Sequence, residues 1–310
     1  MEFTTLGRTG LRVSVAGLGC GGHSRLGTAH GASQKKAAEL VSFALDQGVN
    51  FIDTAAAYGT EPAVGMALQG RRESAVISTK AAASGRDGMR PVSDIVASLD
   101  NSLVQLKTDY IDVFNVHGVT MLDVDHVLQE VVPELKRQQQ MGKIRHLGVT
   151  EAFIRDPGHK MLQHVLPEDI FDVAMVGFNL LNPSARRLVF PLTQKHNVAT
   201  QIMFAVRRAL SQPDALVELV AELLEQAVVT GVDRNDPLGF VAAHPQVRSV
   251  VEAAYRFCRY EPGATVVLTG TGSADHLAEN LASIMAPPLP QELLEQLEDL
   301  FGDVDSVSGN

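Results

Sequence analysis

Four side chains in the first part of the chain carry the groups needed to move a proton to or from a carbonyl oxygen. Asp53 closes the apolar run Asn50-Phe-Ile-Asp53, Lys80 closes Val76-Ile-Ser-Thr-Lys80, and His117 closes Phe114-Asn-Val-His117. Tyr58 follows Asp53 by five residues. A phenol titrates near pH 10, so alone it is a poor proton donor at neutral pH. An ammonium beside it favours the phenolate and eases donation. Lys80 in a dry site would tend to lose its proton, and the Asp53 carboxylate would hold the charge on it. His117 can donate to the same carbonyl oxygen and orient the substrate. Singly, each residue has an ordinary structural use: a helix cap, a solvent-facing amine, a satisfied histidine, a packed ring. Together at one rim they point to chemistry. No serine or cysteine nucleophile with a base and no metal cluster accompanies them, so a hydride would have to come from a cofactor.

The elements that position them alternate in kind. Candidate strands are Val15–Gly19, Asn50–Asp53, Val76–Lys80, Ile111–Asn115, Ile144–Val149, Asp172–Gly177, Val198–Met203 and Val266–Thr269. Helical patterns lie between them near Gln34–Gln47, Glu61–Leu68, Val92–Leu106, Val124–Met141, Gly158–Val165 and Ser184–His196, with a longer stretch from Pro213 to Phe257. Short strands that are apolar on both faces argue for a buried parallel sheet, and eight of them in βα alternation predict an α/β fold closed as a (β/α)8 TIM barrel. A doubly wound open sheet is the alternative, but no Gly-x-Gly-x-x-Gly turn follows the first strand. The segment Phe3–Val15, with Gly7 and Gly10, reads as a β-hairpin expected to cover the amino-terminal end of the barrel. No linker-like run divides residues 1–310, so one domain is expected, with a small, acidic and mobile tail over 302–310.

Composition narrows the function classes. The 310 residues carry a formal net charge of −10 and are 45% hydrophobic. An acidic surface repels phosphate backbones, which excludes nucleic acid as a partner. No apolar run is long enough to suggest a membrane span, and Glu2, Arg8 and Arg12 interrupt any signal peptide. Cys20 and Cys258 lack metal or disulfide spacing and read as separate reduced thiols of a cytoplasmic protein.

After the last strand comes Gly270-Thr-Gly-Ser273 and then a helix start at Ala274-Asp-His-Leu-Ala-Glu-Asn280. Small residues before a helix N-terminus let backbone N–H groups approach an anion, and barrels often bind phosphate after the seventh and eighth strands. The Arg207-Arg208 pair after the seventh strand reads as a contact to a pyrophosphate, as a contact to an acidic substrate, or as an exposed pair on a helix.

These residues resemble the aldo-keto reductase family. Asp53-Thr-Ala-Ala-Ala-Tyr-Gly59 with Glu61 is similar to its Asp-Thr-Ala-x-x-Tyr-Gly motif. Lys80 ends a Ser-Thr-Lys segment, and Asp109-Tyr-Ile-Asp-Val-Phe-Asn-Val-His117 resembles the strand bearing the family histidine. Gly142–Gly148, Gly17-Leu-Gly-Cys-Gly21 and Gly270–Asn280 match as well. The resemblance implies a barrel, hydride transfer between NADP(H), or NAD(H), and an aldehyde, ketone or sugar, with Tyr58 as general acid, Lys80 tuning it, Asp53 supporting Lys80 and His117 polarising the carbonyl. It also implies cofactor contacts at Gly21, Thr150, Glu151, Met175, Arg207, Gly270, Thr271, Gly272, Ser273, His276, Glu279 and Asn280. Thr150-Glu151 replaces the Ser-Asn that grips the carboxamide in many relatives, and Met175 stands where a glutamine is usual. Gly270 and His276 occupy positions where relatives place basic residues for the 2′-phosphate. Two other readings stay open: a barrel lyase with a Schiff base on Lys80, and a non-catalytic barrel that senses a cofactor.

Overall fold

The computed structural model describes all 310 residues. Eight strands form a closed, all-parallel barrel: β1 (Ala16–Gly19), β2 (Phe51–Asp53), β3 (Val76–Ala82), β4 (Ile111–Val119), β5 (Ile144–Glu151), β6 (Val173–Gly177), β7 (Ala199–Met203) and β8 (Val266–Thr269). Each pairs with its neighbours in sequence, and β8 closes onto β1 through Val267 and Ala16. β3 and β4 run two residues beyond Lys80 and His117, so these side chains stand inside the rim. Ala81 and Ala82 are apolar and compatible with strand or loop, which is why Lys80 reads as a terminus in the sequence.

Side chains at alternate positions face the barrel interior. The lowest layer is apolar: Phe51, Val76, Val113, Val173, Ala199 and Val266 form a cluster of their own. Leu6 and Val13 of the hairpin Phe3–Thr5/Arg12–Ser14 complete that cluster, so the hairpin plugs the amino-terminal end. Its turn approaches the sheet closely at Gly7, where a Cβ would sit 2.6 Å from the Asn197 carbonyl oxygen. Arg8 fastens it by pairing with Asp169 and with Asp172, the latter at 2.9 Å.

Two residues higher the interior turns polar. Asp53, Ser78, Asn115 and Gln201 occupy the layer above, all buried. Lys80 stands above these.

The helices differ from the periodic pattern where proline intervenes. Val92–Leu106 forms as read, burying Ile95, Leu99 and Leu106 on one stripe. The pattern Val124–Met141 contains a π-helical turn at Val127–Val131, just before Pro133, whose missing N–H removes a regular helical bond. The stretch Ser184–His196 breaks at Val189, ahead of Pro191. Pro213 to Phe257 is not one element but the helices Pro213–Glu225, Gly239–Ala242 and Val250–Arg259, since Ala227 and Gly231 take left-handed backbone and Pro237 follows.

The tail is a further correction, for residues 302–310 are docked. Val304 is buried, and Asn182 and Asn179 donate to the carbonyls of Val307 and Ser308 at 2.7 and 3.2 Å. Ala209 N–H donates to the Gly309 carbonyl at 3.1 Å. Small acidic composition suggested mobility, but the backbone carbonyls of the tail find buried amides. No helix is long and apolar enough to cross a membrane.

Candidate active site

β2, β3 and β4 bring the four chemistry-bearing residues together at the carboxyl end of the barrel. Lys80 Nζ donates to both Asp53 oxygens at 2.6 and 2.7 Å and to the Thr54 carbonyl at 2.8 Å, which uses all three of its hydrogens. Burial pulls the ammonium pKa down, but Asp53 and Tyr58 outweigh it and hold Lys80 above its ordinary value. Lys80 is therefore charged, and its side chain is fully buried. A Schiff base requires a free, accessible amine, so this geometry opposes the lyase reading.

The Tyr58 ring sits over that pair, with Lys80 Nζ 5.3 Å from its centroid. The Tyr58 hydroxyl lies 3.4 Å from His117 Nε2, and the rings meet edge to face. Burial raises the Tyr58 pKa, and the lowering effects of Lys80 and Arg207 do not fully offset it. Lys80 lowers it as expected of a neighbouring ammonium, but desolvation of the phenolate is the larger effect. His117 is pushed down to about 3 by burial and then by Lys80, so its imidazole is neutral and donates one N–H.

Beneath them lies a polar network that the sequence reading missed. Ser78 Oγ donates to Asp53 at 3.0 Å and receives N–H bonds from Asn115 at 3.0 Å and Gln201 at 3.2 Å. Two amide donors on one hydroxyl oxygen turn its hydrogen toward Asp53. Counting back by twos from Lys80 and His117 reaches Ser78 and Asn115, a signal the strands themselves contained.

A cleft of about 810 Å³ opens from this site at Asp53 and Tyr58, while Lys80 and His117 are not among its lining residues. Tyr58, Gly21, Met175 and Arg207 line it, and Gly270, Thr271, His276, Glu279 and Asn280 line it farther along. Gly272 and Ser273 shape that end without being among the lining residues. Ser273 caps the helix Ala274–Ile284 by accepting from the His276 N–H. A Cβ on Gly270 would meet the Gly19 carbonyl oxygen at 2.7 Å, and one on Gly272 would meet the Gly27 Cα at 2.8 Å. The Thr269 hydroxyl holds Asn280 at 3.0 Å and the Tyr255 hydroxyl at 2.9 Å. This glycine cradle ahead of a capped helix fits the phosphates of a dinucleotide.

Thr150 and Glu151 are not in the cleft. Thr150 Oγ1 accepts from the Gly118 N–H at 2.6 Å, tying β5 to β4. The Glu151 carboxylate is buried between His159 Nδ1 at 2.9 Å and the Gly177 N–H at 2.7 Å, and His159 Nε2 reaches Ser184 Oγ at 3.1 Å. Burial raises the Glu151 pKa against both partners. A buried carboxylate goes where donors are, and here they lie behind the sheet. Neither residue is placed to grip a carboxamide.

A parallel eight-stranded barrel with a buried Lys–Asp pair under a tyrosine and a histidine defines a class of barrel oxidoreductases. The chain matches the aldo/keto reductase family over residues 18–301. It is 32% identical to L-galactose dehydrogenase of Arabidopsis thaliana, with 99% of this chain and 97% of that protein covered. The aldo-keto reductase AKR11C1 from Bacillus halodurans, in its holo form, superposes with a TM-score of 0.74 at 25% identity, covering 98% and 97% of the two chains. An aldo/keto reductase from Klebsiella pneumoniae, solved with NADP and acetate, shares the fold at a TM-score of 0.70 and 21% identity, over 99% and 98%. The chain belongs to the aldo/keto reductase family and is an oxidoreductase of that family.

Proposed function

We propose that the enzyme moves hydride between a nicotinamide cofactor and the carbonyl of an aldehyde, ketone or sugar, with Tyr58 as the general acid and base. The observation that carries this is the Tyr58 hydroxyl lying 3.4 Å from His117 Nε2 above a fully buried Lys80–Asp53 pair. Bound in the cleft, NADP(H) or NAD(H) supplies the hydride. The backbone of Gly270, Thr271 and Gly272, with Ser273, His276, Glu279 and Asn280, would hold its phosphate and adenosine end, and Met175 and Gly21 would border the end nearer Tyr58. Substrate oxygen takes a hydrogen bond from Tyr58 and a second from neutral His117. In the reducing direction Tyr58 gives up its proton to that oxygen, and the Lys80 ammonium stabilises the phenolate left behind. Asp53 keeps Lys80 charged, and Ser78 keeps Asp53 in place.

The test has two stages. Fluorescence titration with NADPH and NADH identifies the tighter cofactor, and a panel of carbonyls and sugars is then assayed with it. Tyr58→Phe should still bind cofactor and lose turnover by about a hundredfold or more. Turnover within threefold of wild type would remove Tyr58 from the chemistry.

A further inference from the structure

Arg207 is a cation in the cleft with no side-chain carboxylate within 4 Å. It lines the wall with Tyr58, Gly22 and Phe204. Lys80 is paired with Asp53, and Arg208 lies 3.7 Å from Glu218. Arg207 instead meets a neutral acceptor: Nε and Nη2 both donate to Asn310 Oδ1, at 3.1 and 2.5 Å.

The rest of its surroundings fix its direction. The guanidinium lies over the Phe204 ring, 4.3 Å from the centroid. Phe204 adopts φ +67°, and its ring meets Phe153 edge to face at 5.4 Å. Phe153 in turn stacks on His159 at 5.3 Å, above the buried Glu151 pair. Asn310 occupies only the Nε side of the guanidinium. Three N–H groups on Nη1 and Nη2 remain, and Nη1 is 3.8 Å from where a Cβ on Gly22 would stand. That fork has the geometry that binds a carboxylate through two parallel hydrogen bonds. Keeping a half-buried cation unpaired is unfavourable unless an anion joins it.

Given the reading of Tyr58 as the general acid, on which this rests, we propose that Arg207 binds a carboxylate on the substrate. The enzyme's preferred substrates are then carbonyl compounds that carry a carboxylate, and Phe204 and Asn310 are positioning residues for the guanidinium. Two observations favour the substrate over the cofactor phosphates as the source of the anion. The phosphate end of the cleft has its own cradle at Gly270–Ser273. Arg207, by contrast, borders Tyr58: its Nη1 is 3.8 Å from where a Cβ on Gly22 would stand, and the Tyr58 ring is 2.5 Å from where one on the adjoining Gly21 would stand. The substrate's charged group would thus sit on the reacting side.

The experiment compares 4-carboxybenzaldehyde with 4-nitrobenzaldehyde, two probes alike in shape and differing in charge. In the wild type the ratio of kcat/KM should favour the carboxylate. In Arg207→Gln that ratio should fall at least about tenfold, the scale of one charge-assisted hydrogen bond, and Arg207→Lys should restore part of it. An unchanged ratio overturns the inference, as does a tenfold rise in cofactor Kd without a change in ratio, which would assign Arg207 to the cofactor. Should Arg207→Gln fail to fold, inhibition of the wild type by benzoate and by benzamide decides: benzoate should bind tighter by about tenfold, and equal inhibition overturns the proposal. Turnover of the nitro compound alone refutes the anion site and leaves the reading of Tyr58 standing. Turnover of neither, with cofactor bound, would overturn the carboxylate preference, and Tyr58 would then be judged by Tyr58→Phe on the wider carbonyl and sugar panel.

Discussion

The Tyr58 ring lies flat against the backbone of Gly21, so that a Cβ there would sit 2.5 Å from Cε2 and 2.7 Å from Cζ. The glycine after β1 thus sets the height of the phenol over the Lys80–Asp53 pair. Gly21→Ala should push the ring away from His117, since the ring is the part free to move. A displacement of about 1 Å at a reacting group lowers turnover by roughly a hundredfold, and kcat should fall on that scale. A variant with unchanged kcat would show that the ring position does not govern the reaction.

The pH behaviour follows from burial. His117 is lowered to about 3, so its charge does not change between pH 5 and 8, and it contributes no limb to the activity profile there. The sign for stability is fixed by the same shift. The unfolded chain takes up this proton below about pH 6.5, while the folded protein resists it until about 3. The contribution of His117 to stability is therefore full above about pH 6.5 and is lost as pH falls toward 3. Thermal unfolding of wild type and His117→Gln should converge as pH drops through that window. A difference independent of pH would mean that the imidazole protonates normally in the fold. Tyr58 is raised, so the phenolate signal that disappears in Tyr58→Phe should emerge only above pH 10 in the cofactor-free enzyme.

Much of this site was legible because a parallel barrel converts sequence position into place. Asp53, Lys80 and His117 follow apolar strands, and the loops at that end share one mouth. Ser78 and Asn115 were equally legible by alternation, two residues before Lys80 and His117. Gln201 was harder to place, since it lies beside Thr200 on a strand across the barrel from them. The Glu151–His159–Ser184 network was not legible at all. His159 reaches Glu151 only because its own backbone turns left-handed at φ +58°, a feature that no spacing encodes for histidine. The same holds for Arg207 and Asn310, which meet across 103 positions of chain.

Glu151 gives a direct test of what the fold does with a polar residue at that place. Glu151→Gln keeps the shape but removes the charge facing His159 Nδ1 and leaves an imperfect acceptor at the Gly177 N–H. Removing one member of such a buried set costs about 2–4 kcal/mol in urea unfolding. Because the carboxylate lies outside the cleft, cofactor Kd should stay within about threefold, well below the tenfold that a lost 1.4 kcal/mol contact gives. A large rise in Kd with unchanged stability would return Glu151 to the cofactor.

Cofactor preference depends on which positions at the phosphate end can carry a cation. Gly270 cannot, because any side chain would enter the Gly19 carbonyl at 2.7 Å, and that carbonyl belongs to the neighbouring strand rather than to a flexible side chain. His276 can: it lines the cleft on the first turn of Ala274–Ile284, and its side chain is exposed. A 2′-phosphate carries close to two negative charges, and guanidinium binds it better than imidazole through paired, charge-assisted hydrogen bonds. The wild type should therefore favour NADPH over NADH by less than about a hundredfold, the reach of one or two such contacts at about 1.5–3 kcal/mol each. Arg207 does not alter this ratio if it meets the pyrophosphate, because both cofactors carry that group. His276→Arg should raise the preference by about tenfold or more through tighter NADPH binding, with the Kd for NADH nearly unchanged. Gly270→Arg should instead weaken both cofactors and lower the unfolding temperature, since the backbone of β1 has to move. Equal Kd values for NADPH in wild type and His276→Arg would mean that the phosphate is read at another place in the cleft.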